Sequence, residues 1–204
     1  AEETPAAGNI SSFNSDGFTL ASRTGINGNG ATFVSWAWDA GSSTVSNTDG
    51  SITSSVRANT SAGFSIVTFT QGGSSGQTPT VGHGLNAAPE MILLKSRGST
   101  QAWRVYHSAL GVNKTIALNL TDPAVTPSSP PVWSVSSSTF GAKNGQIVDS
   151  GFTYVAYCFT SVSGYSAIGS YEGNGSSDGP FVALSFRPAL IILKNADATA
   201  DWKI

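Results

Sequence analysis

Several residue types are scarce in this chain of 204 residues, and each scarcity excludes a kind of site. The chain has one cysteine, Cys158, so it can form neither an intrachain disulfide nor a thiolate metal cluster. Only 11% of its residues are charged and its formal net charge is −2, so it lacks the basic surface that nucleic acid or anionic lipid would need. No apolar run approaches the roughly 20 residues of a membrane-spanning helix. We therefore expect neither nucleic-acid binding nor membrane insertion.

The residues that are abundant favour β-structure. Glycine occurs 23 times among many serines and threonines, 39% of residues are hydrophobic, and no helical period persists for three turns. A chain of this length can bury a sizeable core, as one large domain or two small ones. The composition is typical of virus particles and of secreted surfaces.

The clearest pattern is an internal repeat. Gly63 recurs as Gly164 after 101 residues, Pro89 as Pro188 after 99, and Trp103 as Trp202 after 99. Similar offsets at three separate anchors indicate a duplication of the stretch 63–105, and we call the two stretches the first copy and the second copy.

Both copies carry strand patterns. Residues 64–70 alternate as a half-buried strand does, and the apolar runs 91–94 and 190–193 each follow a proline, as buried strands do. We expect residues 64–70 to pair antiparallel with 91–95, residues 166–171 to pair likewise with 190–194, and the two copies to superpose.

A second echo joins residues 32–38 to residues 153–159. In the later segment Val155, Tyr157 and Phe159 alternate with smaller residues, and the earlier segment has large residues in the same phase. Such alternation places large side chains on one face of a sheet. They either fill a core or form a platform on which a ligand stacks.

These patterns predict an all-β fold, an antiparallel β-sandwich of jelly-roll or lectin-like form built from an internally duplicated strand unit. We divide the chain into an N-terminal segment with the first strands (1–31), a first β unit (32–152) and a second, truncated copy (153–204) packed into the same domain.

The ordered motifs resemble a known family. They comprise residues 63–94, Trp103 with residues 105–111, the strand at 153–159, and the glycine-rich stretch 164–188 with its Phe186-Arg187-Pro188. From about Thr32 onward they look like an uncharacterised all-β domain that recurs in tail-fibre and other structural proteins of marine bacteriophages, cyanophages among them. The resemblance implies a non-enzymatic module of a virion appendage, outside the cell, and it attaches no catalytic residue.

Within that family the chain normally continues past the position of Ile204 into further strands. We therefore expect either a shortened chain or last strands that come from elsewhere. A strand carrying Trp202 and Ile204 would be exposed unless something covered it, so we expect a homo-oligomer, most simply a trimer, or neighbouring fibre chains that complete the sheet.

The candidate site is a ligand surface rather than a catalytic centre. No Gly-x-Ser-x-Gly elbow and no obvious carboxylate pair are present, and two histidines without nearby carboxylates are a poor metal site. We expect no cofactor and no metal. Rings found in both copies serve the shared fold, so a host surface glycan would contact rings unique to one copy: His83, Tyr106, His107 and Trp133. For the two histidines the alternative is a structural role in a turn or at a strand end.

Two other functions compete with a receptor-binding module. One is a tailspike-like depolymerase, which would need two carboxylates close together in an open groove. The other is a purely architectural fibre or capsid spacer, which would bury all five tryptophans.

Overall fold

The computed structural model describes residues 9–204, and within that range the chain forms strands with one short helix and one 3-10 turn. In chain order the elements are β1 (Ile10–Asn14), β2 (Gly17–Leu20), α1 (Thr24–Asn27), β3 (Val45–Asn47), β4 (Ser54–Asn59), β5 (Phe64–Thr70), β6 (Thr80–Gly82), β7 (Met91–Ser96), β8 (Arg104–His107), the 3-10 turn Ser108–Leu110, β9 (Ile116–Ala117), β10 (Trp133–Val135), β11 (Thr139–Ala142) and β12 (Thr153–Phe159).

The chain divides into two compact units, Ala1–Trp38 and Asp39–Ile204. In the N-terminal unit β1 and β2 pair as an antiparallel hairpin, and α1 follows. The predicted N-terminal segment 1–31 reaches into residues 1–8, which lie outside the described residues. The observed division falls after Trp38, and β12, the first strand of the predicted second copy 153–204, lies in the same sheet as β5 and β7.

A seven-stranded antiparallel sheet is the main element of the C-terminal unit. Its strand order is β3-β4-β5-β12-β7-β8-β9. β12 is the central strand and pairs with β5 over seven residue pairs and with β7 over six. A second sheet, in the order β10-β11-β6, is also antiparallel.

The core forms where side chains of both sheets meet. Val67, Leu94 and Ala156 of the large sheet belong to one buried cluster with Trp133 and Phe140 of the small sheet. Burying such side chains contributes roughly 1.5–3 kcal/mol each. Two antiparallel sheets around one core make a sandwich-like all-β fold, and the predicted fold class is confirmed.

The predicted pairing within the first copy is wrong. β5 and β7 do not pair with each other, because β12 lies between them and hydrogen-bonds to both. Apolar alternation specifies which face of a strand is buried but not which strand is its neighbour. Ala156 and Cys158 are both fully buried. Their small side chains suit β12 to the centre of the large sheet, where it faces the core.

The predicted strands of the second copy, residues 166–171 and 190–194, are not strands in the structure, so the two copies do not superpose. Residues 32–38 likewise form no strand. One feature of the first copy is retained: Leu193 and Lys203 form an isolated antiparallel bridge, equivalent to the pair Leu94 and Arg104 of β7 and β8. A strand requires a hydrogen-bonding neighbour, which apolar alternation alone cannot supply.

Candidate functional site

Three of the four predicted ligand-binding residues lie in the core. Trp133 is 1% exposed, His83 is fully buried, and Tyr106 packs on Trp133 with 5.9 Å between the ring centroids. The expectation that these rings are dispensable to the core is therefore wrong. Trp133 begins β10 and Tyr106 lies on β8, and each points into the space between the two sheets.

His83 has a structural role that follows from its hydrogen bonds. Its Nδ1 accepts a hydrogen bond from the backbone N–H of Leu85 at 3.2 Å, and its Nε2 lies 3.2 Å from the carbonyl oxygen of Ser136, to which it donates in that tautomer. Burial lowers the pKa of His83 below its ordinary value of 6.5, outweighing the bond to Ser136. The ring thus stays neutral and joins the turn after β6 to the hairpin of β10 and β11.

His107 is the one predicted residue that keeps part of its surface. It ends β8, and its Nδ1 accepts a hydrogen bond from the backbone N–H of Ala109 at 3.2 Å, which caps the 3-10 turn. Burial lowers the pKa of His107, and the nearby Glu90 carboxylate opposes that shift. The other ring nitrogen, Nε2, is therefore the group that this residue could offer to a ligand.

A different surface presents aromatic rings together. We call it the outer face: the side of the large sheet opposite the core cluster. Along β12 the core-facing Ala156 and Cys158 alternate with Val155, Tyr157 and Phe159, which are half-buried. Cross-strand registers extend this face over three further strands, with Ile66, Leu93 and Val105 in the row of Tyr157, and Phe64, Met91 and His107 in the row of Phe159.

The outer face carries two aromatic pairs. Trp103, two residues before Val105, stacks on Tyr157 with 6.1 Å between centroids and 26° between ring planes. Phe64 and Phe159 lie 4.8 Å apart at 34°, but Phe64 is buried, so this second pair presents little ring surface. Trp103 and Tyr157 are both half-buried, so part of each ring remains at the surface. Such rings offer the apolar faces on which the C–H groups of sugars or planar groups stack.

Backbone hydrogen bonds hold Trp103 in place. Its N–H donates to Asn119 Oδ1 at 3.0 Å, and its carbonyl oxygen accepts from the N–H of Leu118 at 3.1 Å. The preceding loop is tied down by Lys95, whose Nζ donates to the carbonyl oxygens of Ser99 and Gln101. The ring is therefore presented by a constrained segment, which lowers the entropic cost of binding.

Sequence reasoning set Trp103 aside because Trp202 repeats it. The alternation in residues 153–159 did indicate a face of large side chains, with a stacking platform as one of its two interpretations. Which face is buried depends on where the second sheet packs, and that is a property of the tertiary structure.

Tryptophan exposure separates the competing interpretations. Trp36 is 57% exposed and Trp38 48% exposed, while Trp103 and Trp202 are half-buried. Trp202 donates its Nε1–H to the carbonyl oxygen of Ala117 at 3.2 Å. Of the five tryptophans only Trp133 is buried, so the condition set for a purely architectural spacer is not met.

Residues 9–204 lack two further features, a metal-holding group and a membrane-spanning helix. Within that range no group of three histidine, cysteine, aspartate or glutamate side chains is placed to hold a metal ion. Nor does that part of the chain contain a helix long and apolar enough to cross a membrane.

Comparison with known proteins gives one match. A family model described as a domain of unknown function (DUF7483) matches residues 1–204. No curated protein and no solved structure matches the chain significantly.

Proposed function

Because the chain belongs to the family of the domain of unknown function DUF7483, we propose a function from its own residues: it is a non-enzymatic structural and receptor-binding module of a bacteriophage tail appendage. It acts on the virion, outside the cell, where it contacts a host surface glycan. The order of its sequence motifs, which resembles that of phage tail proteins, supports the appendage.

The receptor-binding part of this proposal is supported by the stacked pair Trp103 and Tyr157 on the outer face. Glycan sites use ring faces for the apolar side of a sugar and nearby polar groups for its hydroxyls. Here His107 lies in the adjoining row, opposite Met91, and the Glu90 carboxylate, which accepts the N–H of Ser161, lies near it. By analogy with base stacking, each ring contributes on the order of 1–3 kcal/mol.

The module also assembles with copies of itself, most simply as a trimer, or with neighbouring fibre chains. Large apolar side chains are exposed in the second copy: Phe181 is 91% exposed, Ile191 52% and Ile192 48%. Ile191 and Ile192 are also neighbours in the chain, and exposed apolar patches are typical of protein–protein contacts. A fibre supplies such contacts through its own subunits.

The binding test uses the labelled chain on an array of purified bacterial surface polysaccharides. We expect the wild type to bind a subset of them, and Trp103→Ala to weaken that binding about tenfold or more, which corresponds to about 1.4 kcal/mol. Phe181→Ala is the matched control, since it removes an exposed ring that lies outside the outer face. Thermal melting of each variant shows whether the fold is intact.

Three outcomes would contradict the proposal. If the wild type binds no polysaccharide, the receptor-binding part of the proposal is wrong. An equal loss of polysaccharide binding in Trp103→Ala and Phe181→Ala would show that the outer face is not the binding site. New reducing ends released from a bound polysaccharide would instead support a depolymerase.

A further inference from the structure

The outer face carries positive charge beside its stacked rings. Arg57 of β4 lies in the row of Tyr157, with Ile66 of β5 between them. Lys95 of β7 lies opposite Val155 in the next row. The strands β4, β5, β12, β7 and β8, whose side chains form this face, contain no aspartate and no glutamate. The face is therefore cationic, although the whole chain has a formal net charge of −2.

Arg57 has hydrogen-bonding capacity to spare. Its side chain is exposed, and its Nε donates to the carbonyl oxygen of Gly41 at 2.6 Å. Within residues 9–204 its terminal nitrogens form no hydrogen bond and no ion pair. The nearby Asp39 carboxylate accepts instead from the N–H of Gly41 and from the amide of Asn59. A guanidinium with free N–H groups suits a carboxylate, which it binds through two parallel hydrogen bonds.

Lys95 is a buried cation without a carboxylate partner. It is 5% exposed, and its Nζ donates to the carbonyl oxygens of Ser99 and Gln101 at 3.2 and 2.9 Å. It forms no ion pair in the part of the chain that the structure describes. A buried charge without an opposite charge beside it is weakly screened, so it raises the electrostatic potential at the neighbouring surface.

The groups at the other end of the face leave this charge in place. Glu90 directly precedes β7 and lies about 16 Å before Lys95 along the strand, at about 3.3 Å per residue. That distance exceeds the screening length of about 8 Å at physiological salt. His107 is neutral at pH 7, because burial lowers its pKa below 6.5. The positive potential is therefore concentrated beside Tyr157.

We propose that the glycan bound at the outer face is acidic: a polysaccharide whose sugar units carry a carboxylate or another anionic group. The inference rests on the receptor binding proposed above and names the class of glycan. A sugar ring stacks on Trp103 and Tyr157, and an anionic substituent accepts N–H groups of the Arg57 guanidinium. Neighbouring strands are about 4.7–4.9 Å apart, so β4 and β12 are separated by about 10 Å, which the long arginine side chain partly spans. Lys95, on the other side of Tyr157, adds attraction at longer range.

The polysaccharide array tests this inference when its members are sorted by chemistry. Dextran and mannan serve as neutral polymers, and alginate and polygalacturonate join the acidic bacterial polysaccharides. Each acidic polymer that binds is also tested in its carboxyl-reduced form, in which alcohols replace the carboxylates. We expect the wild type to bind acidic members, to bind their reduced forms about threefold or more weakly, and to bind less as salt is added. The weakly acidic chain as a whole has no general attraction for polyanions.

Three variants test the role of the charge at Arg57. Arg57→Gln should weaken binding to acidic polysaccharides about threefold or more, the scale of an exposed ion pair. Arg57→Lys keeps the charge while losing the Nε bond to Gly41, so it should retain most of the binding. Arg187→Gln is the matched control, since Arg187 is exposed and lies outside the strands of the outer face. Thermal melting of each variant shows whether the fold is intact.

The source of the anion is distinguished by the reduced polymers. A polymer that carries phosphate or sulfate and still binds after carboxyl reduction identifies that group as the anion, which also supports the inference. A polymer without phosphate or sulfate that binds equally well before and after reduction would overturn it. Binding confined to neutral polymers, or equal affinities of Arg57→Gln and the wild type for acidic ones, would overturn it as well.

Trp103→Ala separates this inference from the function on which it rests. If Trp103→Ala loses binding while Arg57→Gln does not, the receptor binding stands and the acidic class of the glycan is rejected. A wild type that binds no polysaccharide, acidic or neutral, would reject both.

Discussion

At the scale of single residues, burial decides which aromatic and titratable groups are structural. Trp133 and His83 lie in the core, while Trp103 and His107 retain exposed surface. The sequence singled out Trp133, His83 and His107 as ligand candidates and set Trp103 aside as a ring of the shared fold, because residue order could not separate these rings by depth. Depth depends on where the small sheet covers the large one.

We expect Trp133→Ala to lower the free energy of unfolding by about 3–5 kcal/mol, because it leaves a large cavity between the sheets. Trp133→Phe should cost less, since Nε1 of Trp133 is buried without a hydrogen-bond partner among the described residues. Trp36→Ala is the exposed control and should change stability by less than about 0.5 kcal/mol. Urea denaturation measures all three, and equal losses in Trp133→Ala and Trp36→Ala would contradict the burial of Trp133.

We also expect stability to fall in mild acid because of His83. Its folded-state pKa lies below 6.5, so as the pH drops through about 6.5 the unfolded chain takes up a proton that the folded chain does not. The contribution of His83 to the free energy of unfolding should therefore be fully present above that pH and should be lost progressively below it. His107 acts in the same direction.

Two matched variants separate the histidines in melting curves recorded between pH 5 and 8. His83→Asn and His107→Asn each keep an acceptor for the N–H that Nδ1 binds. Each should reduce the acid-induced loss of stability. An unchanged pH profile in both would show that neither ring is desolvated as described.

At the scale of elements, the two copies differ in what surrounds equivalent residues. Gly63 and Gly164 both have positive φ, yet a Cβ on Gly63 would lie 2.5 Å from the carbonyl oxygen of Thr160, and one on Gly164 would meet no atom within 4 Å. The two copies therefore share a left-handed glycine at this turn, but only in the first copy does a packed strand follow it.

We expect Gly164→Ala to cost about 1 kcal/mol, from the left-handed backbone alone. Gly63→Ala should cost distinctly more, because the same backbone strain is joined by the clash with Thr160. Chemical denaturation of the two variants compares them directly. Equal costs would mean that the turn before β5 is as open as the turn at Gly164.

The central strand allows a test by thiol chemistry. Cys158 is fully buried in β12, and burial raises its pKa to about 12, so at neutral pH the folded chain should react very slowly with a thiol reagent. Because β12 pairs on both sides, exposing Cys158 requires opening the sheet. Labelling in increasing urea should follow global unfolding, and rapid labelling without denaturant would contradict the central place of β12.

At the scale of the whole molecule, the core belongs to the C-terminal unit. Every member of the main buried cluster lies between residues 52 and 158. We expect a chain consisting of residues 39–204 to unfold cooperatively at a midpoint close to that of the full chain.

Calorimetry of that shorter chain checks this expectation, with the full chain as reference. A shorter chain that is unfolded would place part of the stabilising core in residues 1–38.

The sequence by itself determined the all-β class, the alternation of β5 and β12 and the repeat of sequence motifs, because these depend on local residue order and on a two-residue period. It also indicated the face of large residues at Val155, Tyr157 and Phe159. Only the tertiary structure decided that β12 separates β5 from β7, that Trp133, Tyr106 and His83 are core, and that residues 166–171 and 190–194 form no strand. Strand order and burial depend on contacts between residues distant in the chain, and a side-chain pattern that fits several neighbours cannot select among them.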